Sequence, residues 1–370
     1  MPKSPCILVA MSGGVDSSVA ALLLAREGHA VLGATMETWC PSGPPPATRR
    51  GGCCNLEAAR DAAAVCERLG VPHQVVGLRE AFEQEVIAPF VADYGRGRTP
   101  NPCLNCNRYL KWGRLAAWAQ ARGATHLATG HYARIERGAD GQFHLLRGVD
   151  RGKDQSYALY MLRQGHLERT LLPLGGLTKS EVRRLAAEAG LPVAGRAESQ
   201  EICFVADDDH FAFVSERRPE AATPGPILNL AGQEVGRHRG IAAYTVGQRR
   251  GLGLGGPARH FVVEIDAARQ AVIVGEEADT EAREVLVEET SYTGGRPTGA
   301  FEAEVMTRYR GQLVPATVVP QPEGRAAVRF HDTQRAPAPG QAAVFYRGEE
   351  VLGGGIIAAV VAWANRGGAA

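Results

Sequence analysis

Residues 7–28, ILVAMSGGVDSSVAALLLAREG, leave a chain few ways to fold. The unbroken apolar run Ile7–Met11 reads as a buried strand. Asp16, Ser17 and Ser18 are helix-opening residues, Val19, Leu22 and Leu23 share one helical face, and Gly28 supplies a stop. Between the two lies Ser12-Gly13-Gly14. A strand, a glycine turn and a helix in that order aim the turn's N–H groups and the helix N-terminus at one point, which suits an anion. The turn is neither a Walker loop, because no lysine follows Gly14, nor GxGxxG, because its glycines are adjacent. Gly13 and Gly14 permit close backbone approach, the three serines add hydroxyls, and Asp16 can hold a metal.

The alternation continues. Residues 29–37 read as a second strand, 56–69 as a helix capped by Asn55, and 72–78 as a third strand. Helices follow over 80–97 and 107–123, then a strand over 125–135. Thr178 and Glu181 have the capping-box spacing at the head of a helix closed by Gly190 and Pro192. This order predicts a doubly wound parallel sheet, with ligands at the carboxyl ends of its strands. From about residue 210 short β-like runs take over and predict a small antiparallel barrel at the C-terminal end. The expected parts are an α/β domain over 1–205, a small central domain over 206–280 and a barrel domain over 281–370. A net charge of +1 over 370 residues announces no polyanion partner and excludes none. The N-terminus shows no apolar leader, and the run Ile356–Ala364 is too short to cross a bilayer, so the expectation is a cytoplasmic protein without a membrane role.

Eight cysteines, at 6, 40, 53, 54, 66, 103, 106 and 203, in such a compartment are free, metal-bound or catalytic. Cys6 and Cys66 fit buried small hydrophobes. Cys103 and Cys106 form C-x-x-C and, with Cys53 and Cys54, allow a zinc reading, although adjacent cysteines are awkward ligands. The other reading is sulfur chemistry. Cys106 before Asn107 at a helix start, near Arg108 and Lys111, favours a thiolate that exchanges with a second, distant thiol.

The stretch SGGVDSS resembles the pyrophosphatase loop (PP-loop) of ATP-dependent adenylating enzymes. With TPNPCLNCN, TGHY, KDQSY, SQEICFV, YTVGQRRGLG and PGQAAVFY, in that order along almost the entire chain, the sequence resembles the bacterial tRNA-specific 2-thiouridylases. The resemblance implies an adenine nucleotide alpha-hydrolase-like α/β domain, a small central domain and a C-terminal β-barrel. It implies ATP-dependent sulfur transfer to C2 of the wobble uridine, position 34, of tRNAs for Lys, Glu and Gln, with Mg²⁺ as a cofactor and a persulfide-donating carrier or cysteine desulfurase as partner. By match, Cys203 carries the persulfide, and Cys106 is the partner thiol that closes a transient disulfide with it. Ala10, Met11, Ser12, Gly13, Gly14, Val15, Asp16, Ser17, Met36 and Gly130 match ATP-binding positions. Asn101, Pro102 and Cys103 match the stretch that meets the target base. His131, Lys153, Asp154, Gln155, Tyr309, Arg310 and Gln341 match tRNA contacts. Many members carry Asp where this chain has Cys103, so a loop carboxylate is not available here, and Cys103 competes with Cys106 for the thiol role. No resident metal is expected.

On the RNA side, Arg237, Arg239, Tyr244, Arg249 and Arg250 in residues 236–253 suggest a flexible basic and aromatic arm, and Arg308 and Arg310 suggest one face of a barrel strand. The rival readings are another adenylating ligase or amidotransferase, which leaves the two cysteines idle, and a zinc-binding RNA module, which leaves the glycine turn idle.

Overall fold

The computed structural model describes residues 6–38, 56–197, 202–205, 208–255 and 259–364. It divides into two compact units, one of residues 1–87, 102–208 and 349–351, the other of 88–101, 209–348 and 352–370.

The first unit is built on a five-stranded sheet. Its strands are β1 (Cys6–Ala10), β2 (Ala30–Glu37), β3 (His73–Gly77), β4 (Ala124–Ala128) and β7 (Thr170–Leu171), in the order β3-β2-β1-β4-β7. All four pairings are parallel. Ile7, Leu8 and Val9 are at most 2% exposed, which is why β1 reads as a continuous apolar run and not as an alternating one. Helices α1 (Val15–Arg26) and α2 (Leu56–Leu69) and the helix Lys179–Glu188 bury Val19, Leu22, Val65, Val182 and Ala186 in one cluster with β1. The Thr178 hydroxyl accepts from the Glu181 amide and the Glu181 carboxylate accepts from the Thr178 amide, the expected capping box.

This strand order fixes the place of the site. The chain runs outward from β1 to β2 and β3, then returns to the other side of β1 to form β4. The crevice at a reversal of this kind lies at the carboxyl ends of β1 and β4. Those ends lead into Met11–Gly14 and Thr129–Tyr132.

The single strand expected over 125–135 is two, β4 and β5 (Ala133–Arg137), separated by the Thr129–Tyr132 turn. β5 forms an antiparallel hairpin with β6 (Phe143–Arg147). After it, Asp154 is 8% exposed. Its carboxylate accepts from Arg147 Nε at 2.8 Å, the Gly148 amide at 3.0 Å, and the Ser156 amide and hydroxyl at 3.1 and 3.2 Å. Four donors on one buried carboxylate make it the organiser of this loop.

The second unit holds two β assemblies. Strands β8 (Gly225–Leu228), β9 (Glu234–His238), β10 (Phe261–Asp266) and β11 (Ala271–Gly275) form a sheet in the order β10-β11-β8-β9 around Ile227, Ile241, Tyr244, Val262 and Val272. Tyr244, expected on an RNA-facing arm, is 4% exposed and packs edge-on against His238. The arm itself is knitted down, with the Gly247 amide on the Val262 carbonyl at 2.7 Å and the Val262 amide on the Gln248 carbonyl at 2.9 Å. Arg237, Arg239 and the tip Arg249–Gly251 are exposed.

Six antiparallel strands close the barrel. They are β12 (Glu281–Tyr292), β13 (Phe301–Met306), β14 (Val314–Gln321), β15 (Arg325–Arg335), β16 (Ala342–Arg347) and β17 (Glu350–Trp363), ordered β12-β15-β14-β13-β16-β17, with β17 returning to β12. Val285 and Val287, Ala303 and Val305, Ala316 and Val318, and Ala326, Val328 and Phe330 fill it with a period of two. Arg308 and Arg310 do not share a strand face. β13 stops at Met306, Arg310 takes a left-handed φ of 59°, and the Gly311 amide closes a turn onto the Arg308 carbonyl at 2.9 Å.

Asp154→Asn removes a charged acceptor from a saturated buried set. It should lower stability by ~1–3 kcal/mol, read as a fall in the denaturation midpoint with an unchanged denaturant slope.

Candidate functional site

The glycine turn is built for contact with backbone on both sides. Gly13 has φ +72°, and a Cβ there would stand 2.5 Å from the Ala58 carbonyl oxygen. Gly130 is the partner from β4, where a Cβ would lie 2.7 Å from Asp16 C and Ser17 N. Both glycines are therefore required by close approach, and the Thr129–Tyr132 turn rests directly on the first turn of α1. Gly14, not Asp16, stands at the N-cap, and no side chain caps the helix. The Ser17 hydroxyl accepts from the Ser12 amide at 3.1 Å and donates to the Gly14 carbonyl at 3.2 Å. Ser18 is fully buried and spends its hydroxyl on the same carbonyl at 2.8 Å. Ser12 stays exposed, with Gly14 and Asp16 half-buried beside it. Met11, Val15 and Met36 are buried core side chains.

Three residues that the sequence reading passed over complete this region. Lys179 Nζ sits 2.7 and 2.8 Å from the two Asp16 carboxylate oxygens. The Tyr132 hydroxyl donates to Asp16 Oδ1 at 2.7 Å. Arg196 Nη1 donates to the Gly13 carbonyl at 3.0 Å and pairs with Asp61 on α2. A lysine is thus present after all, delivered by the N-terminus of a helix far along the chain instead of from within the turn. The Thr178 cap marks it as the first residue of a helix, and no local feature ties it to Asp16.

Gln155 locks this arrangement from the other side. Its side-chain oxygen accepts from the Tyr132 amide at 3.1 Å, and its own amide donates to the Tyr132 carbonyl at 2.9 Å. Lys153 is half-buried next to it. Gln341, in the second unit, donates to the Thr99 carbonyl at 2.7 Å, two residues before the half-buried Asn101. Tyr309 and Arg310 are exposed on the turn after β13, the guanidinium 5.2 Å from the ring centroid.

The cysteine helix starts earlier than expected. It opens at Pro102, a favoured first position, and runs to Gln120 with a π-helical stretch Cys106–Leu115. Cys106 therefore lies in the second turn and half-buried, while the exposed Cys103 occupies the first turn, nearer the positive end of the dipole. Asn107 Nδ2 donates to the Ala158 carbonyl and Lys111 Nζ to Asn107 Oδ1, each at 2.8 Å. Trp112 donates from Nε1 to Thr170 at 2.8 Å, and its ring lies 5.6 Å from that of His131. His131 in turn shares a hydrogen bond of 2.7 Å with Thr129. The helix is thereby fastened to the Gly130 turn and to the segment after Gln155, both of which bear on Asp16. Cys203 is half-buried beside Phe204, which is anchored edge-on against Phe82 at 5.6 Å. Burial pushes the Cys66 thiol up to about 11, which suits an inert core residue, and Cys6 is half-buried. Cys40, Cys53, Cys54 and the cap Asn55 lie outside the described residues, as does the start of the SQEICFV motif.

Burial, and then the nearby Lys111 charge, hold His131 well below the ordinary value of 6.5. It is neutral in the folded state at pH 7, and the unfolded chain binds its proton first as pH falls. Its contribution to stability is complete above about pH 6.5 and is lost as pH drops towards the folded value. The melting-temperature difference between the wild type and His131→Gln should therefore shrink between pH 7.5 and 5.5; a constant difference would refute the assignment. Gly130→Ala should cost ~1–3 kcal/mol of stability by overpacking, measured by chemical denaturation, whereas Gly165→Ala, where a Cβ meets nothing within 4 Å, should cost none.

Comparison with known proteins extends these observations. A family model described as the tRNA methyl transferase HUP domain matches residues 6–207, one described as the tRNA methyl transferase PRC-barrel domain matches 212–276, and one described as the aminomethyltransferase beta-barrel domain matches 282–357. The tRNA-specific 2-thiouridylase MnmA of Geobacter metallireducens is 49% identical over 96% of this chain and 97% of its own. Its counterpart in Pelotomaculum thermopropionicum is 47% identical over 95% of this chain and 96% of its own. Among solved structures, a 4-thiouridine synthetase–RNA complex with bound ATP covers 58% of this chain and 51% of its own at 18% identity and a TM-score of 0.35, too remote to bear on the site. Identity at the level of the two MnmA proteins, maintained from end to end, is decisive, and the chain belongs to the tRNA-specific 2-thiouridylase family.

Proposed function

We propose that this protein transfers sulfur to C2 of the wobble uridine of tRNA, with ATP as the activating nucleotide, to form 2-thiouridine. The end-to-end likeness to the thiouridylases carries this reading. The first unit supports it, because Lys179 reaches Asp16 beside the glycine turn and the cysteine helix is tied through Trp112 and His131 to the Gly130 turn.

The residues at the turn fit a polyphosphate. Two glycines leave the backbone uncovered, Ser12 is exposed, and Lys179 supplies a cation in a half-buried place, where its charge is little screened. Asp16 is the carboxylate that would hold Mg²⁺, in competition with Lys179. ATP supplies a leaving group on the C2 oxygen of the base. Ser12, Gly14 and Lys179 hold the pyrophosphate half, and Gly130 keeps the nucleotide side of the crevice free of a Cβ. A persulfide on Cys203 then attacks C2 with its terminal sulfur, and AMP departs with the C2–O electron pair. The Cys106 thiolate attacks the Cys203 sulfur, the S–S bond to the transferred atom breaks, and the thiocarbonyl remains on the base. The product Cys106–Cys203 disulfide is reduced by an external dithiol, and a persulfide carrier reloads Cys203. Residues 1–205 carry this chemistry. The barrel, 281–370, presents Tyr309 and Arg310 to the RNA, and residues 206–280 present the tip Arg249–Arg250. Among the described residues no helix is long and apolar enough to cross a membrane.

Methyl transfer, which the family models' descriptions mention, calls for neither a thiol pair nor a cationic pyrophosphate cradle. An adenylating ligase would use the cradle and leave both cysteines without work.

Mass spectrometry of nucleosides from tRNA incubated with the protein, ATP, Mg²⁺ and a persulfide donor should show a uridine heavier by the replacement of oxygen with sulfur. A methylated uridine instead would reverse the proposal. Cys203→Ser should abolish thiolation and keep tRNA-dependent pyrophosphate release. Cys106→Ser should also stop turnover, and Cys103→Ser should be milder; the opposite order would transfer the partner role to the residue nearer the helix start. Affinity for tRNA should fall steeply with salt as phosphate contacts release counterions, a slope that filter binding measures.

A further inference from the structure

The peptide between Gly13 and Gly14 is gripped from behind by one side chain. Arg196 Nη1 donates to the Gly13 oxygen at 3.0 Å, and the same guanidinium is paired with Asp61 on α2. The Arg196 main-chain oxygen accepts from Arg183 Nη1, on the helix Lys179–Glu188, at 3.3 Å. The Arg196 side chain is 18% exposed, so these bonds are little weakened by water. In a trans peptide the C=O and N–H point to opposite sides. Holding the Gly13 oxygen on Arg196 turns the Gly14 N–H away from Arg196. A glycine at φ +72° has no side chain to select one orientation of the next peptide over the other. The selection must come from outside the residue, and Arg196 is placed to make it, with Asp61 fixing the planar fork.

We propose that Arg196 is a positioning residue for polyphosphate binding: it sets the Gly13–Gly14 peptide so that the Gly14 N–H faces the anion. This deepens the reading of the glycine turn as a pyrophosphate cradle and rests on it. Arg196 touches no reacting atom, and its effect passes entirely through the orientation of one amide. Both contacts are made by Nη1, whose N–H directions are fixed by the guanidinium plane; the freely rotating ammonium of a lysine could neutralise Asp61 without fixing the direction of the bond to the carbonyl.

Calorimetric titration of the full chain with inorganic pyrophosphate, and with ATP and Mg²⁺, tests this directly. Arg196→Ala should weaken both by about ten- to a hundredfold, the range for loss of one charge-assisted hydrogen bond. Millimolar guanidinium chloride should restore part of the affinity and equal sodium chloride should not, which a merely structural role would not produce. Arg196→Lys should fall between the two. Arg184→Ala, an exposed neighbour on the helix paired with Glu188, should leave the affinity unchanged. If Arg196→Ala fails to fold, Asp61→Asn should show a partial loss in the same direction. Unchanged affinity in the folded Arg196 or Asp61 variants, a loss that guanidinium does not recover, or a wild type that binds no pyrophosphate overturns the inference. A wild type that binds pyrophosphate through Arg196 yet thiolates no tRNA leaves this inference standing and removes the sulfur-transfer reading.

Discussion

The Asp16 carboxylate is the fastening on which the site depends. It receives Lys179 from one helix and Tyr132 from the turn after β4, while itself belonging to the first turn of α1. Two segments, each more than a hundred residues from Asp16, thus converge on its two oxygens. An isolated carboxylate this close to a helix N-terminus and half-buried would already be favoured by the dipole. Adding a lysine and a phenol makes it a stiff joint whose charge is balanced internally. Anything anionic that arrives at the Ser12–Gly14 turn meets the lysine of this joint, so binding of a polyphosphate and the internal ion pair draw on the same cation.

From this joint the order spreads outward by short links. Gln155 clamps the Tyr132 backbone on both its polar groups, and the buried Asp154 beside it is saturated by four donors. His131, next to Tyr132, lies against Trp112, and Asn107 reaches the carbonyl of Ala158. Several positions that resemble RNA contacts by motif, among them Asp154 and Gln155, are therefore parts of the scaffold that holds the crevice. A substitution there acts on the glycine turn whether or not RNA is bound.

Much of this was legible in the residues. The apolar run Ile7–Met11, the Thr178/Glu181 cap and the glycine pair point to a parallel α/β sheet, because each rests on a local rule of spacing or backbone freedom. The barrel was equally legible from period-two runs such as Ala326, Val328 and Phe330. What escaped were relations set by tertiary approach. Nothing around Lys179 or Arg196 signals that they end at Asp16 and Gly13. Tyr244 looks like an RNA-facing aromatic until His238 is seen packed against it, and Arg308 and Arg310 look like a strand pair until the left-handed φ of Arg310 breaks the strand. The expected start of the cysteine helix, Asn107, falls five residues after Pro102, where the helix opens.

The π-helical stretch Cys106–Leu115 gives the cysteine helix a freedom that an ordinary α-helix lacks. Its wider hydrogen-bonded rings hold residues that a tighter spiral would not accommodate, and each residue surrendered would rotate everything upstream by about 100° about the axis while the downstream end stays docked. Asn107 on Ala158 and Trp112 on Thr170 hold the sulfur-bearing end in one setting, so any rotation of that end must first break the Asn107 bond.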